Sequence, residues 1–349
     1  MNNLLLRSFK RFYSSNETNS KKCKVTICGA AGNVGRIISY CLKTSPLNIH
    51  LSLFDTSTEI KQVSDQLNLI NTPNTLEEHV GPLKLRQSLK DSDIVAIVAR
   101  SKPNPNKNLS VPDTFEMNFP IVANIARCSM EMCPEAILAI GTNPMNSIIP
   151  AINELFILQG HQHSHKILGI TTMDLMQAGV VYAESMNIDP TEVFIPLTGG
   201  TTAETIAPIF SQAAVSEEET PKELSVIDSE KLHNSFLVKK KQSNEAEFAT
   251  GFAISQFIES CVRAINGESD VVETAFVCAP EEAPARYLIS LVDLDQHGIE
   301  TVYGPPKTIN RFEKKLLYPA LLNLQRDITQ AEQHVQTLLR NGVEMRMRK

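Results

Sequence analysis

The feature that most restricts the fold is a set of three evenly spaced glycines, Gly29, Gly32 and Gly35, in the segment KVTICGAAGNVGRIISYCLK at 24–43. A short apolar run precedes Gly29, and apolar side chains recur at helical spacing after Gly32. This pattern predicts a buried strand, a tight turn and a helix. Glycines at such a junction permit the turn, let a pyrophosphate approach the backbone and allow close helix–strand packing, while the helix N-terminus attracts negative charge.

The next apolar run, IHLSLFD at 49–55, ends in Asp55, twenty residues beyond Gly35. A carboxylate at that place can accept hydrogen bonds from the ribose hydroxyls of an adenosine, and it would repel a 2'-phosphate. We therefore expect NAD rather than NADP as the cofactor.

A glycine triplet alone is a weak signal, because many such matches are only tight turns. Here the triplet is followed by a second strand with a terminal acid, and further strand candidates lie at 93–99 and 136–144 with a helical stretch between them. Alternating strands and helices predict an α/β fold with a doubly wound parallel sheet of the Rossmann type. We assign residues 23–168 to this dinucleotide-binding domain.

Residues 169–349 are expected to form a second, α+β domain of the catalytic type. Its segments are helix-like at 174–186, strand-like at 193–199, amphipathic at 245–266 and helical at 310–339. Two charged segments, 216–223 and 237–247, are interpreted as solvated loops or helix ends.

Composition excludes several classes of protein. The chain has 349 residues and a net charge of -6, which argues against nonspecific nucleic-acid binding because that requires a basic surface. No uninterrupted apolar stretch reaches about 18 residues, so we expect no membrane span. The seven cysteines form no CxxC pair and are interpreted as thiols of a reducing compartment.

The first 22 residues differ from the rest in composition. Their five basic residues face a single acid, Glu17, and the early ones alternate with leucine and phenylalanine. Such an amphipathic basic segment is typical of a mitochondrial transit peptide, which places the protein in the matrix. The alternative is a disordered basic tail.

Six motifs in chain order resemble those of mitochondrial-type malate dehydrogenases, of the lactate/malate dehydrogenase family. They are GAAGNVG at 29–35, LSLFD at 51–55, KDSDIVAIVA at 90–99, CPEAILAIGTNPMNSIIP at 133–150, KILGITTMDLMQAG at 166–179 and INRFEKKLL at 309–317. The resemblance implies two domains, NAD as cofactor, and a homodimer or a heterodimer with a related subunit.

The resemblance also implies a catalytic set of one histidine, one aspartate and three arginines. Asp174 matches the aspartate that orients the histidine, but Thr201 stands at the histidine position and Gln177 at one arginine position. A threonine hydroxyl cannot act as a general base near neutral pH, and glutamine carries no charge for a substrate carboxylate.

The other two arginines of the family lie in a mobile loop that corresponds to residues 99–118. The first arginine position falls on Pro103 or Pro105, depending on the register, and the second falls on Val111. A small glycine of that loop is replaced by Arg100 or Lys102, and the glycine-rich segment on the nicotinamide side corresponds to bulky and acidic residues at 243–252.

These substitutions predict a pseudoenzyme that keeps the fold, with a doubtful small-molecule substrate. The adenosine half of the site, formed by the three glycines and Asp55, is intact, so weak or structural NAD binding is expected. Two alternatives remain: an active NAD-dependent malate dehydrogenase, in which Arg100, Lys102 or Lys107 acts as the substrate cation, and a dehydrogenase for another substrate.

Several residues also permit a purely structural interpretation. Asp174 fits a helix-start carboxylate that satisfies backbone donors. Asn143 matches a residue that contacts substrate and cofactor in the family, yet it also suits the turn before Pro144. Asn118 is assigned either to the cofactor or to a helix cap. The HQHSH segment at 161–165 has no acidic or cysteine partner nearby, so no metal is expected.

Overall fold

The computed structural model describes residues 22–102, 109–161, 163–215, 226–242, 246–279, 281 and 284–341. The predicted transit peptide therefore lies outside the described residues, apart from Lys22. So do the charged segment at 216–223 and the candidate positions Pro103, Pro105 and Lys107.

The N-terminal half alternates strands and helices, as the sequence predicts. Its elements are β1 (Cys23–Cys28), α1 (Asn33–Thr44), β2 (Ile49–Asp55), α2 (Ile60–Asn68), β3 (Thr75–Val80), α3 (Leu85–Leu89), β4 (Ile94–Ile97), α4 (Val111–Met132), β5 (Ile137–Ile140), α5 (Met145–Leu158) and β6 (Ile167–Ile170).

The C-terminal half begins with a helix and ends with the longest one. Its elements are α6 (Thr172–Met186), β7 (Val193–Phe194), β8 (Leu197–Gly199), β9 (Ile206–Pro208), β10 (Ala214–Val215), α7 (Val226–Gln242), α8 (Glu247–Ile265), β11 (Val271–Cys278), β12 (Tyr287–Asp295), β13 (Gly298–Val302) and α9 (Arg311–Arg340). The single strand-like segment expected at 193–199 is thus divided into β7 and β8.

Within the described part of the chain, nine strands form one sheet in the order β13-β12-β11-β6-β5-β4-β1-β2-β3. The strands from β3 to β6 are parallel, in the arrangement of a dinucleotide-binding domain. Strands β11, β12 and β13 continue the same sheet in antiparallel pairing. The predicted domain boundary at 168 falls inside β6, and strands from the second half of the chain extend the same sheet.

The predicted strand, turn and helix at the start of the fold are β1, the glycine turn and α1. Gly29 has a φ of +99°, and a Cβ there would lie 2.7 Å from the backbone nitrogen of Ala99. A Cβ on Gly35 would lie 2.2 Å from the carbonyl oxygen of Gly29. Both positions therefore require glycine, one for its backbone conformation and both for close packing of the turn.

Apolar clusters cover both faces of the sheet. One cluster joins Val25 and Ile27 of β1 to Ile38 of α1 and Phe257 of α8. The other includes Phe119 of α4 and further side chains from α5 and α9. All seven cysteines are free thiols. None of the helices in the described part of the chain combines the length and apolar character that crossing a membrane requires.

Candidate functional site

A cleft of about 2060 Å³ opens at the carboxyl ends of β1, β4 and β5, where the strand order of the sheet reverses direction. Ligands of open α/β sheets bind in this crevice. Nine of the ten predicted site residues line it, namely Gly29, Gly32, Gly35, Asp55, Val111, Asn118, Asn143, Asp174 and Thr201. The tenth, Gln177, does not.

The adenosine half of the cleft has the features that a dinucleotide requires. Asp55 Oδ2 accepts a hydrogen bond from the Ala31 backbone nitrogen at 2.9 Å, and its Oδ1 accepts one from the Ser57 nitrogen at 2.9 Å. These bonds fix the carboxylate between the end of β2 and the glycine turn. The N-terminus of α1 opens beside it, so the residues present fit the ribose and the pyrophosphate of NAD.

An acid also lies at that helix N-terminus. Glu247, in the first turn of α8, accepts hydrogen bonds on both carboxylate oxygens from Asn33 Nδ2, each at 2.8 Å. Both residues line the cleft. Glu247 belongs to the segment in which the sequence predicts acidic residues on the nicotinamide side, and its contact with Asn33 brings negative charge to the first residue of α1.

Asn118 ties two loops together at the floor of the cleft. Its Oδ1 accepts a hydrogen bond from the Ser101 backbone nitrogen at 2.9 Å, and its Nδ2 donates to the Asn143 carbonyl at 2.8 Å. The helix-cap alternative for Asn118 is wrong, because α4 begins seven residues earlier, at Val111, with Ser110 as its N-cap. Asn143 itself lies exposed in the turn between β5 and α5.

Val111 is the first residue of α4 and is 49% exposed at the wall of the cleft. It offers no charge to a ligand. Arg100 and Lys102, just beyond β4, also line the cleft and are both exposed. Of the three residues considered as a substitute substrate cation, Arg100 and Lys102 are the two that the structure describes.

Thr201 is engaged in a structural hydrogen-bond network. Its backbone nitrogen and its Oγ1 both donate to Asn146 Oδ1, at 2.8 and 3.0 Å, and the residue is 7% exposed. Asn146 Nδ2 in turn donates to Thr205 Oγ1 at 3.1 Å and to Asp327 Oδ2 at 3.0 Å. Thr201, at the position where the resemblance implies a histidine, is therefore part of the scaffold between α5, the β8–β9 turn and α9.

Asp174 lies in the first turn of α6, and its carboxylate forms an ion pair with the ammonium of Lys240 from the last turn of α7. The side chains are 11% and 16% exposed, and both residues line the cleft. Burial raises the pKa of the Asp174 carboxyl, and the neighbouring Lys240 ammonium opposes that rise. Asp174 lies at the helix start, as the structural interpretation predicts, but its carboxylate accepts a hydrogen bond from the Lys240 ammonium, which that interpretation did not include.

The interpretation of 237–247 as solvated loop or helix end is wrong for Lys240, and residues 243–245 of that segment lie outside the described residues. Residues 237–242 end α7, yet Lys240 turns into the cleft. Lys239, its neighbour, forms an ion pair with Glu184 and does not line the cleft. Three consecutive lysines give no signal of which one points inward, so sequence reasoning missed Lys240.

Gln177, one turn after Asp174 on α6, is 7% exposed. Its Oε1 finds no hydrogen-bond partner within the described ranges. Because its side chain does not line the cleft, it does not take over ligand binding from the arginine that the resemblance implies there.

One histidine of the described residues lines the cleft. His334 of α9 lines it, but its Nδ1 lies 3.2 Å from Glu116 Oε1 and its ring packs edge-on against Phe115 and Phe119. Elsewhere, the rings of His163 and His165 lie 6.1 Å apart. Among the residues that the structure describes, no group of three or more His, Cys, Asp or Glu is arranged to hold a metal ion.

Comparison with known proteins agrees with this arrangement. Residues 23–169 match the family model of the lactate/malate dehydrogenase NAD binding domain, and residues 171–335 match that of the alpha/beta C-terminal domain. The mitochondrial malate dehydrogenase of Pongo abelii is 32% identical over 331 residues, covering 94% of this chain and 96% of the relative. That of Bos taurus is 32% identical over 333 residues, covering 95% and 96%.

Solved structures of the same class share the fold. The apo malate dehydrogenase of Picrophilus torridus superposes with a TM-score of 0.74 at 16% identity, covering 91% of this chain and 99% of that one. The lactate dehydrogenase of Cryptosporidium parvum, complexed with lactic acid and NAD, gives a TM-score of 0.72 at 16% identity, covering 89% and 98%. The chain belongs to the lactate/malate dehydrogenase family.

Proposed function

We propose that this protein is a noncatalytic member of the family that binds NAD(H) weakly, or as a structural ligand, and does not interconvert malate and oxaloacetate. The observation that carries the proposal is the state of Thr201. At the position where the resemblance implies the catalytic base, the side chain carries a hydroxyl group, and this hydroxyl donates a hydrogen bond to Asn146 Oδ1.

Oxidation of a 2-hydroxy acid requires an acceptor for the hydroxyl proton as hydride leaves the carbon. A positioned base contributes roughly 10² to 10⁴ in rate. Lys240 does not replace it, because the ammonium that pairs with Asp174 has three donors and no acceptor. When bound, NAD would supply the hydride acceptor, but among the residues that the structure describes the partner of the Asp174 carboxylate is the Lys240 ammonium and not a histidine.

Substrate positioning is weakened as well. Val111 is apolar, Gln177 does not line the cleft, and neither supplies the planar cation that binds a carboxylate through two parallel hydrogen bonds. Each lost charge-assisted contact removes about 1.5 to 3 kcal/mol. Without the base and without the two arginines implied at positions 111 and 177, the cleft does not hold a dicarboxylate in the orientation that hydride transfer requires.

Opposing groups around the glycine turn support weakened dinucleotide binding. Asp55 and the glycine turn favour the adenosine half, whereas Glu247 places a carboxylate at the N-terminus of α1. We further propose that the protein resides in the mitochondrial matrix, which the composition of its first 22 residues supports, and that it forms a homodimer or a heterodimer with a related, active subunit.

The test measures NADH oxidation by the purified protein with oxaloacetate or pyruvate, and NAD⁺ reduction with malate or lactate. We expect no turnover above the uncatalysed rate in either direction, with measurable NADH binding by calorimetry. Turnover by the wild-type protein would contradict the proposal and would favour the two active alternatives, a malate dehydrogenase or a dehydrogenase for another substrate.

The paired variant Thr201→His with Gln177→Arg restores two residues of the implied catalytic set. Appearance of malate turnover in this variant alone would indicate decay of an ancestral site.

A further inference from the structure

Helix α9 divides its charged side chains between its two sides. All of its lysines and arginines are exposed, namely Arg311, Lys314, Lys315, Arg326 and Arg340. Its acids are bound to other segments of the protein: Glu313 accepts a hydrogen bond from Ser211, Asp327 accepts one from Asn146, and Glu332 pairs with Arg286. None of the cations forms an ion pair with a residue that the structure describes. The outer side of the helix is therefore positively charged.

Four of these cations lie on one side of the helix together with two apolar side chains. The six exposed residues recur at intervals of one, three and four positions, which places them on the same face of a helix. We call this set the cationic face of α9, and its members are Arg311, Lys314, Lys315, Tyr318, Leu322 and Arg326. Tyr318 is 65% exposed and Leu322 is 40% exposed. At the rise of an α-helix the face is about 22 Å long.

The cationic face differs from an ordinary solvated helix surface. Exposed helices usually place acids three or four positions from lysines, because such pairs stabilise the helix. Here no acid lies three or four positions from any of the four cations, in either direction along the chain. The chain as a whole has a net charge of -6, so a basic composition does not account for the face.

The shape and chemistry of the face fit an anionic bilayer surface. One exposed helix is convex and offers no groove to a peptide, whereas a flat surface can contact all six side chains together. The negative potential of anionic lipids attracts lysine and arginine near the membrane. Tyrosine and leucine are side chains that enter the headgroup boundary, and the long cations can still reach the phosphates beside them.

We propose that the cationic face of α9 docks the protein reversibly on bilayers that contain anionic phospholipids. The four cations contact lipid phosphates, and Tyr318 and Leu322 enter the headgroup layer. The acidic remainder of the chain does not prevent this contact, because at 0.1 M salt charges more than about 10 Å away are largely screened. The inference goes beyond the proposed function and does not depend on the cleft.

The experiment measures how the full-length protein partitions onto sedimented vesicles of phosphatidylcholine, alone or with about 30% phosphatidylglycerol. We expect partition onto the anionic vesicles only, and its loss at about 0.5 M salt. The first 22 residues are also basic and attract anionic lipid, so every variant leaves them unchanged.

Charge removal tests the face directly. Lys314→Gln with Lys315→Gln should weaken partition by about 25-fold, since each basic residue near the membrane contributes about fivefold. Lys61→Gln with Lys84→Gln removes the same charge from two exposed lysines outside α9 and is the matched control. This control pair should partition as the wild type does. All four lysines are exposed, so the variants should fold.

An introduced tryptophan tests the contact of the face with lipid. The chain contains no tryptophan, so a single indole reports its own surroundings. With Tyr318→Trp, the emission should shift to shorter wavelength on anionic vesicles, because the indole moves from water to the headgroup boundary. Leu83→Trp, at a position that is 91% exposed and outside α9, should keep the emission of an indole in water.

Three results would each overturn the proposal. They are equal partition onto the two kinds of vesicle, equal partition by the two glutamine pairs, and an unshifted emission for Tyr318→Trp. Absence of binding to anionic vesicles would likewise overturn it and would leave an acidic protein as the partner of the face. Turnover in the assay described above bears on the noncatalytic proposal alone.

Discussion

Asn33 donates its side-chain amide to both carboxylate oxygens of Glu247, at 2.8 Å each, and thereby connects the first turn of α8 to the first residue of α1. A helix N-terminus in this fold is the place of the pyrophosphate, which two or more backbone donors and the helix dipole stabilise. A carboxylate fixed beside it opposes the binding of a second anion.

The variant Glu247→Gln should therefore bind NADH more tightly. Glutamine keeps an oxygen that can accept from Asn33, and it removes one negative charge that costs the pyrophosphate about 1 kcal/mol, or about fivefold in Kd. Calorimetry at low ionic strength gives the largest effect, because salt screens the charge of Glu247, which is only half-buried.

Glu230→Gln is the matched control, since this exposed acid of α7 does not line the cleft. It should bind NADH as the wild type does. If Glu247→Gln binds no tighter than Glu230→Gln, the carboxylate does not oppose the dinucleotide, and the weak-binding proposal loses its electrostatic basis.

The Asp174–Lys240 ion pair leads to a prediction about stability and pH. Lys240→Met leaves Asp174 buried without its counter-charge, which costs about 3 kcal/mol when the carboxylate is ionised. Burial already raises the pKa of Asp174, and removal of the ammonium raises it further. The folded state then binds more protons than the unfolded state between the two pKa values, so stability falls as pH rises through that interval.

Urea unfolding of this variant should show a small loss of stability relative to the wild type near pH 4 and the full loss near pH 7. The double variant Lys240→Met with Asp174→Asn should abolish the pH dependence of the difference. A loss that is the same at both pH values would mean that the lysine stabilises the cleft by packing alone.

The local parts of the fold were predictable from the sequence because their signals are local. The glycine turn lies between β1 and α1, and the apolar run ending at Asp55 is β2. The C-terminal helix expected at 310–339 is α9, whose N-cap Asn310 accepts a hydrogen bond from the Glu313 nitrogen at 3.0 Å. Such capping residues lie next to the element they begin.

What the sequence did not predict depends on contacts between distant segments. The pairing of β11 with β6 brings Ala275 beside Ile170, and no periodicity within either strand specifies that partner. Lys240 enters the cleft because α7 packs beside α6. Its two sequence neighbours are also lysines, so the sequence does not indicate which of the three faces the cleft. Thr201 was placed by its motif, but its bond to Asn146 depends on the position of α5.

The network around Asn146 permits a third prediction. Thr201→Val removes one hydroxyl hydrogen bond and should destabilise the protein by about 1 kcal/mol. Asn146→Ala removes the acceptor of two bonds and the donor of two more, and it leaves the Thr201 backbone nitrogen buried without a partner. We expect a loss of about 3 kcal/mol for this variant, measured by urea unfolding.

The single variant Thr201→His, which introduces the histidine of the implied catalytic set, tests the same hydrogen-bond network. An imidazole is larger than a threonine side chain and cannot keep the geometry of the bond to Asn146 Oδ1, so this variant should lose at least as much stability as Thr201→Val. A Thr201→His protein as stable as the wild type would show that the threonine is not a structural part of the cleft.

His233 of α7 supports a last prediction, on acid stability. The side chain is buried, its ring lies 5.8 Å from that of Phe312, and its Nδ1 has no hydrogen-bond partner in the ranges that the structure describes. Burial lowers the pKa of His233 to about 4, so between that value and the ordinary 6.5 the unfolded state binds the extra proton and stability falls as pH decreases.

From pH 7 to about pH 4.5 this single group should cost the folded state about 2.5 kcal/mol. His233→Leu should reduce the acid-induced loss by that amount in urea unfolding at the two pH values, whereas the exposed His297, changed to Leu, should leave it unaltered. An equal loss in the wild type and in His233→Leu would mean that the histidine finds a solvated, protonated conformation in the folded protein.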